Sequence, residues 1–222
     1  MIRAALIDLD GTLLDTAPDL AAAANATLAE LGIAQLPSGE VREFIGKGIT
    51  VLVHRCLAAA LGVEPDAPLY ESAQACFAVH YERLNGSAAA AYPGVREGLT
   101  AMRAQGMRLA CVTNKASRYT GPLLASSGLA HYFDQVVTSD RAKRRKPDPE
   151  PFLLACRELG VPASEAAVIG DSANDAVAGR AAGCRVLLVP YGYREGQDVR
   201  SIACDGIVAS LLDAAKLLSA QS

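Results

Sequence analysis

No stretch of the 222 residues reaches the roughly eighteen consecutive apolar positions that a membrane-spanning helix requires, so no membrane partner is expected. The first apolar run, Ala4 to Ile7, is four residues long and ends in acids, which does not resemble a secretory signal. Charge of one sign is also scarce. A net charge of −3 creates no field that would recruit nucleic acid or an anionic bilayer. Internal repeats are absent, and low complexity is confined to two alanine runs, 21–24 and 88–91, read as helix or linker. The six cysteines form no Cys-x-x-Cys pair, and His54, His80 and His131 stand at no zinc-ligand spacing from them. Scattered thiols in a chain of this length point to free cysteines in a reducing cytoplasm rather than a disulfide framework. What remains is an ordinary globular composition, 51% hydrophobic and 20% charged, long enough to bury a substantial core.

Organisation begins at the N-terminus. Ala4-Ala5-Leu6-Ile7 reads as a buried strand that ends in Asp8 and Asp10, followed at once by Gly11 and Thr12. Alternate residues of a strand point the same way, so the two carboxylates leave the strand end together while Leu9 turns into the core. Two like charges so close repel unless a cation separates them, and hard oxygen donors suit Mg²⁺. The same Asp-x-Asp-Gly pattern also describes a plain turn.

Residues 17–84 carry helical patterns and no convincing strand. Thr16 and Asp19 have capping-box spacing, and helices are expected over 20–31, 40–61 (interrupted by Gly46-Lys47-Gly48) and 69–84. From residue 88 onward the pattern alternates: strands at 107–113, 135–138, 166–169, 185–189 and 206–208, and helices at 95–105, 117–127, 149–159, 173–182 and 210–218. Such alternation implies an α/β fold with a doubly wound parallel sheet, helices covering both faces. The division expected is a core of residues 1–15 and 86–222 with an all-helical insertion, 16–85.

In open parallel sheets, ligands bind beyond the carboxyl ends of the strands. Asp8 and Asp10 stand at one such end, Thr113-Asn114-Lys115 at another, and Asp171 with Ser172 and Asp175 at a third. Lys146 precedes the helix at 149–159. Taken singly, Thr113 could close a strand, Asp171 could cap a helix, and Lys146 could belong to the solvated basic run 143–146. Taken together, acids, a hydroxyl and a lysine converging on one rim describe an acid-metal-phosphate site.

These segments, Asp8-Leu9-Asp10-Gly11-Thr12, Thr113-Asn114, Lys146-Pro147 and Gly170-Asp171-Ser172-x-x-Asp175, resemble in order and spacing the four motifs of the haloacid dehalogenase-like superfamily. The phosphatase branch is the match, because the true dehalogenases lack an acid at the position of Asp10. Tyr92-Pro93-Gly94-Val95, Tyr132-Phe133 and Tyr191-Gly192-Tyr193 point further, to bacterial phosphatases of small metabolites within that branch. Ile7 departs from the aromatic common there, and Ala116 from the proline that often follows Thr-Asn-Lys.

The resemblance implies a Rossmann-like core with an inserted helical cap, and Asp8 as nucleophile through an aspartyl-phosphate. It implies Asp10 as general acid and base. It implies Mg²⁺ held by Asp8, the main-chain carbonyl of Asp10 and Asp171, with Asp175 supporting or substituting. Thr113, main-chain amides near Asn114, and Lys146 would hold the phosphoryl oxygens. Lys47, with Arg55 beside it, is the cap candidate for reading the substrate's far end, against the alternative of a plain surface lysine. A small phosphorylated metabolite is the expected partner, for a monomer or homodimer. Rival readings are phosphatases of amino-sugar phosphates, pyrophosphate or nucleotides, a phosphosugar mutase, and a phospho-acceptor signalling domain.

Overall fold

The structure, a computed structural model, describes residues 1–220. Its centre is a six-stranded parallel sheet of β1 (Ala4–Ile7), β4 (Arg108–Val112), β5 (Gln135–Val137), β6 (Ala166–Gly170), β7 (Arg185–Leu188) and β8 (Gly206–Ile207), in the order β5-β4-β1-β6-β7-β8. The register places Ile7 beside Cys111 on one side and Ile169 on the other, so three strands end level with one another. Both expected faces are covered. Ala5 and Ile7 pack with residues of α5 (Val95–Ala104), α6 (Ser117–Ser126) and α9 (Leu211–Ser219). Ala4 and Leu6 pack with residues of α7 (Glu150–Leu159) and α8 (Ala173–Ala182). Alternation along one four-residue strand thus feeds two hydrophobic layers, each fully buried Leu or Ile contributing about 1.5–3 kcal/mol.

The helical segment holds α1 (Ala17–Glu30), α2 (Ser38–Glu43), α3 (Ile49–Leu61) and α4 (Ala67–Leu84) around its own buried cluster of Leu28, Val53, Leu57, Phe77 and Tyr81. The chain enters and leaves it through a feature the sequence pattern did not reveal. β2 (Leu14–Asp15) and β3 (Ala90–Ala91) pair antiparallel, so part of the second alanine run is strand rather than helix or linker.

The capping box expected of Thr16 and Asp19 does not form. The Thr16 hydroxyl donates to Asp10 at 2.6 Å instead, and the Asp19 carboxylate accepts the main-chain amides of Gly86 and Ala88 at 2.8 and 2.7 Å. Tertiary partners took both side chains from the local motif. Asp19 consequently ties the exit of the segment to its entrance.

Candidate active site

Level strand ends gather the sequence-selected residues on one rim. Asp8, Asp10, Thr113, Asn114, Lys146 and Asp171 line a single cavity, whose opposite wall is Leu20, Ile45, Ile49 and Leu52 from the helical segment. Asp8 follows β1, and Leu9 is buried in the core beneath the sheet. Gly11 makes the turn at φ +87°, a conformation that favours glycine, and a Cβ there would strike the Asp171 carboxylate.

Lys146 is the electrostatic hub. Its Nζ donates to Asp8 Oδ1 and Asp175 Oδ1, each at 2.7 Å, and to the Val112 carbonyl at 2.8 Å. Its side chain is 3% exposed. Lys146 therefore turns inward while its neighbours in the basic run, 143–145, are exposed. Burial pulls its ammonium down, but Asp175 and Asp8 outweigh this and hold it above the ordinary lysine range. Asn114 fixes the loop that carries it: Asn114 Oδ1 accepts from Lys146 N, and Asn114 Nδ2 donates to the Lys146 carbonyl, both at 3.0 Å. The Asn114 side chain is thus committed to the protein. Thr113 is buried, and its hydroxyl oxygen accepts the Lys115 amide at 3.1 Å.

On the far side of Asp8 stands Asp171. Its Oδ1 accepts from the Thr12 hydroxyl at 3.1 Å and its Oδ2 from the Tyr193 amide at 2.5 Å. It is not a helix cap: Ser172 is the N-cap of α8, closing a capping box with Asp175. Asp8, Asp171 and Asp175 are all buried, each offering an oxygen within 4.8 Å of the others. The cis and trans oxygen separations around an octahedral ion with 2.0–2.1 Å bonds are about 3 and 4 Å, so the spacing fits a small hard cation. Burial pushes the Asp8 carboxyl up to about 7, with Lys146 opposing and Asp175 and Asp10 reinforcing. Burial, then Asp175 and Asp8, raise Asp171 well above the ordinary range. Three buried carboxylates against one lysine leave negative charge that a divalent cation would neutralise. Both Asp175 oxygens already have donors, Lys146 on one and Ser172 on the other, which suits a supporting place better than a ligand's.

Several residues that shape the site carried no role in the sequence reading. Lys115 Nζ donates to Asp10 Oδ1 at 2.8 Å with its side chain 2% exposed. Its position directly after Thr113-Asn114, at a strand end, was the available signal. Tyr193 joins three parts: its amide holds Asp171, its hydroxyl donates to Asp15 at 2.5 Å, and that hydroxyl oxygen accepts the Thr16 amide at 2.7 Å. Lys47 and Arg55 do not line the aspartate cavity. Both reach across to Glu195 Oε2, at 2.9 and 3.0 Å, and Glu195 sits on a core loop with φ of 51°.

The parallel sheet thus carries a cluster of buried carboxylates at its level strand ends. Residues 5–189 match the family model of the haloacid dehalogenase-like hydrolases, and the chain belongs to that family. Among relatives, it is 52% identical over 221 residues to the phosphoglycolate phosphatase of Nitrosospira multiformis, covering 100% of this chain and 97% of the other. It is 46% identical to that of Thiobacillus denitrificans, covering 98% and 96%. Among solved structures, a predicted phosphoglycolate phosphatase from Haemophilus somnus superposes with a TM-score of 0.92 at 31% identity, covering 97% of both chains. Among the described residues, no helix is long and apolar enough to cross a membrane.

Proposed function

We propose that the protein is a Mg²⁺-dependent phosphatase that hydrolyses 2-phosphoglycolate to glycolate and phosphate through an aspartyl-phosphate on Asp8. The observation that carries the reading is the placement of Asp8. It lies at the end of the central strand, between a buried lysine and a second buried aspartate, in a cavity it shares with Asp10. The names of the most similar relatives supply the substrate.

In this mechanism an Asp8 oxygen attacks phosphorus and the bond to the substrate's alkoxide oxygen breaks. Asp10 donates a proton to that oxygen as it leaves. In the second half-reaction Asp10 takes a proton from water, which attacks phosphorus and releases the Asp8 carboxylate. Lys146, the Thr113 hydroxyl and main-chain amides near Asn114 hold the phosphoryl oxygens. Asp8, the Asp10 carbonyl and Asp171 would hold Mg²⁺, with Asp175 beside them; when bound, the ion shields the carboxylate–phosphate approach and the charge on the equatorial oxygens.

Residues 16–85 act as a cap over a core of 1–15 and 86–222, excluding water and presenting an apolar wall to the substrate. Lys47, with Arg55, is the cap cation proposed to meet the substrate carboxylate, which requires it to leave Glu195. Every group named comes from one chain. The cytoplasm is the compartment assigned, since the six thiols are all unpaired.

The test is phosphate release from a panel of monoesters, 2-phosphoglycolate included, with Mg²⁺ and with EDTA. Preferred turnover of phosphoglycolate that stops on chelation is the expected outcome. A preference for a sugar phosphate, or isomerisation without phosphate release, would replace the reading.

A further inference from the structure

In the mechanism above Asp10 changes protonation state twice per turnover, and its Oδ1 is gripped from two sides. The Thr16 hydroxyl donates to it at 2.6 Å and Lys115 Nζ at 2.8 Å. A lysine ammonium withdrawn from water is costly unless it is paired, so a side chain 2% exposed at this place calls for a reason. Lys115 comes from the loop after β4, in the core. The aromatic face over its ammonium comes from the helical segment: Nζ lies 5.0 Å from the centroid of the Tyr81 ring, on α4. Tyr81 is fully buried, its ring 5.4 Å from Phe77 on the same helix and 4.9 Å from Tyr119 on α6. The ammonium is therefore held between a core carboxylate and an inserted aromatic.

We infer that Lys115 is a positioning residue for Asp10 and that Tyr81 seats it, so the proton-handling carboxylate is aimed only while α4 packs against the core. The inference rests on Asp10 being the acid and base. With Oδ1 occupied by two donors, the transferable proton resides on Oδ2, which the pair holds in one direction. A carboxylate free to rotate would offer either oxygen at any angle, and proton transfer depends steeply on that alignment. The proton passes from Oδ2 to the departing alkoxide oxygen, and one from the attacking water later returns to Oδ2. Lys115 keeps its own protons throughout. The arrangement ties chemistry to closure, since an α4 lifted from the core removes the wall behind Lys115.

Lys115→Met tests this, because it keeps the length and apolar stem while deleting the charge. The readouts are kcat and KM for 2-phosphoglycolate and for p-nitrophenyl phosphate, whose phenolate departs without a proton, together with the acid-stable phosphoenzyme level. The expected result is a fall in kcat of about 10- to 100-fold on the alkyl ester with KM nearly unchanged. On the aryl ester, phosphoenzyme should form at the wild-type rate and accumulate, because its hydrolysis still needs an aimed Asp10. An Asp10→Asn/Lys115→Met double variant should be no slower than Asp10→Asn alone, as for groups acting as one unit. Tyr81→Leu should show the same pattern more weakly, which keeps a test in hand if Lys115→Met folds poorly by circular dichroism. A raised KM with kcat retained would overturn the inference, making Lys115 a substrate-binding cation, as would losses that add to those of Asp10→Asn. Wild-type turnover by Asp10→Asn itself would instead remove the assignment of Asp10.

Discussion

Asp8 and Lys146 meet through one carboxylate oxygen, 2.7 Å from the ammonium, and the same ammonium lies 2.7 Å from Asp175. One lysine thus joins the proposed nucleophile to the helix that follows β6, across 138 residues of sequence in one direction and 29 in the other. Lys146→Met should therefore remove two things at once. Phosphoryl-oxygen binding goes, so turnover should fall below detection. The buried carboxylates also lose their counter-charge, which costs about 3–5 kcal/mol when a buried pair is broken on one side. Thermal unfolding with and without Mg²⁺ checks this: the variant's Tm should drop, and Mg²⁺ should restore more of it than in the wild type. An unchanged Tm would show that Lys146 is not the charge balance of the site.

The pH dependence of the cation follows from the same carboxylates. Asp8, raised to about 7, and Asp171, raised well above its ordinary value, hold protons in the metal-free fold that an unfolded chain releases near pH 3.8. The native state then binds more protons than the unfolded one between about pH 4 and 7, so the stability of the metal-free protein declines as pH rises through that interval. A divalent cation competes with those protons. The rise in Tm given by a fixed Mg²⁺ concentration should be larger at pH 8 than at pH 6. An equal rise at both would contradict the shared site.

Gly192 packs its Cα directly against Asp171. A Cβ there would strike the Asp171 side chain and the Gly11 carbonyl, so Gly192→Ala must displace the carboxylate or the loop. The Mg²⁺ concentration for half-maximal activity should rise about tenfold or more, the cost of losing an oriented ligand. Gly39→Ala is the control, since nothing lies within 4 Å of its added carbon.

The Glu195 clamp separates two accounts of Lys47. Its partners are partly exposed, and each such pair is worth about 0.2–1 kcal/mol. If Lys47 serves only to hold the helical segment to the core, Glu195→Gln and Lys47→Ala should alter KM alike for every substrate. If Lys47 reads the substrate carboxylate, Lys47→Ala should raise KM for phosphoglycolate but not for p-nitrophenyl phosphate. Glu195→Gln should then lower KM for phosphoglycolate by freeing the lysine. The second pattern is the one expected, and the first would return Lys47 to a purely structural place.

The sheet was legible because Ala4 to Ile7 is a short apolar run that ends in Asp8 and Ala166 to Ile169 is one that ends in Gly170-Asp171, and glycines stop the helices after Leu61, Leu159 and Ala182. The convergence of Asp8, Thr113 and Asp171 followed from strand ends, while Lys146, which precedes α7, joined them through the order and spacing of the motifs. The β2–β3 pair did not, because two residues show no alternation and alanine carries no strand preference. Capping-box spacing at Thr16 and Asp19 is a local signal, while Asp10, Gly86 and Ala88 compete for those side chains only in the folded chain. Lys115 and Glu195 owe their places to partners more than a hundred residues away, which no local pattern encodes.

The phosphorylated residue decides the account. Asp10→Asn mixed with phosphorus-labelled p-nitrophenyl phosphate, whose phenolate departs without a proton, and Mg²⁺, then quenched in acid and digested, should carry one phosphoryl group on the peptide containing Asp8, and Asp8→Asn should carry none. Label on another residue, or turnover by Asp8→Asn, would contradict it.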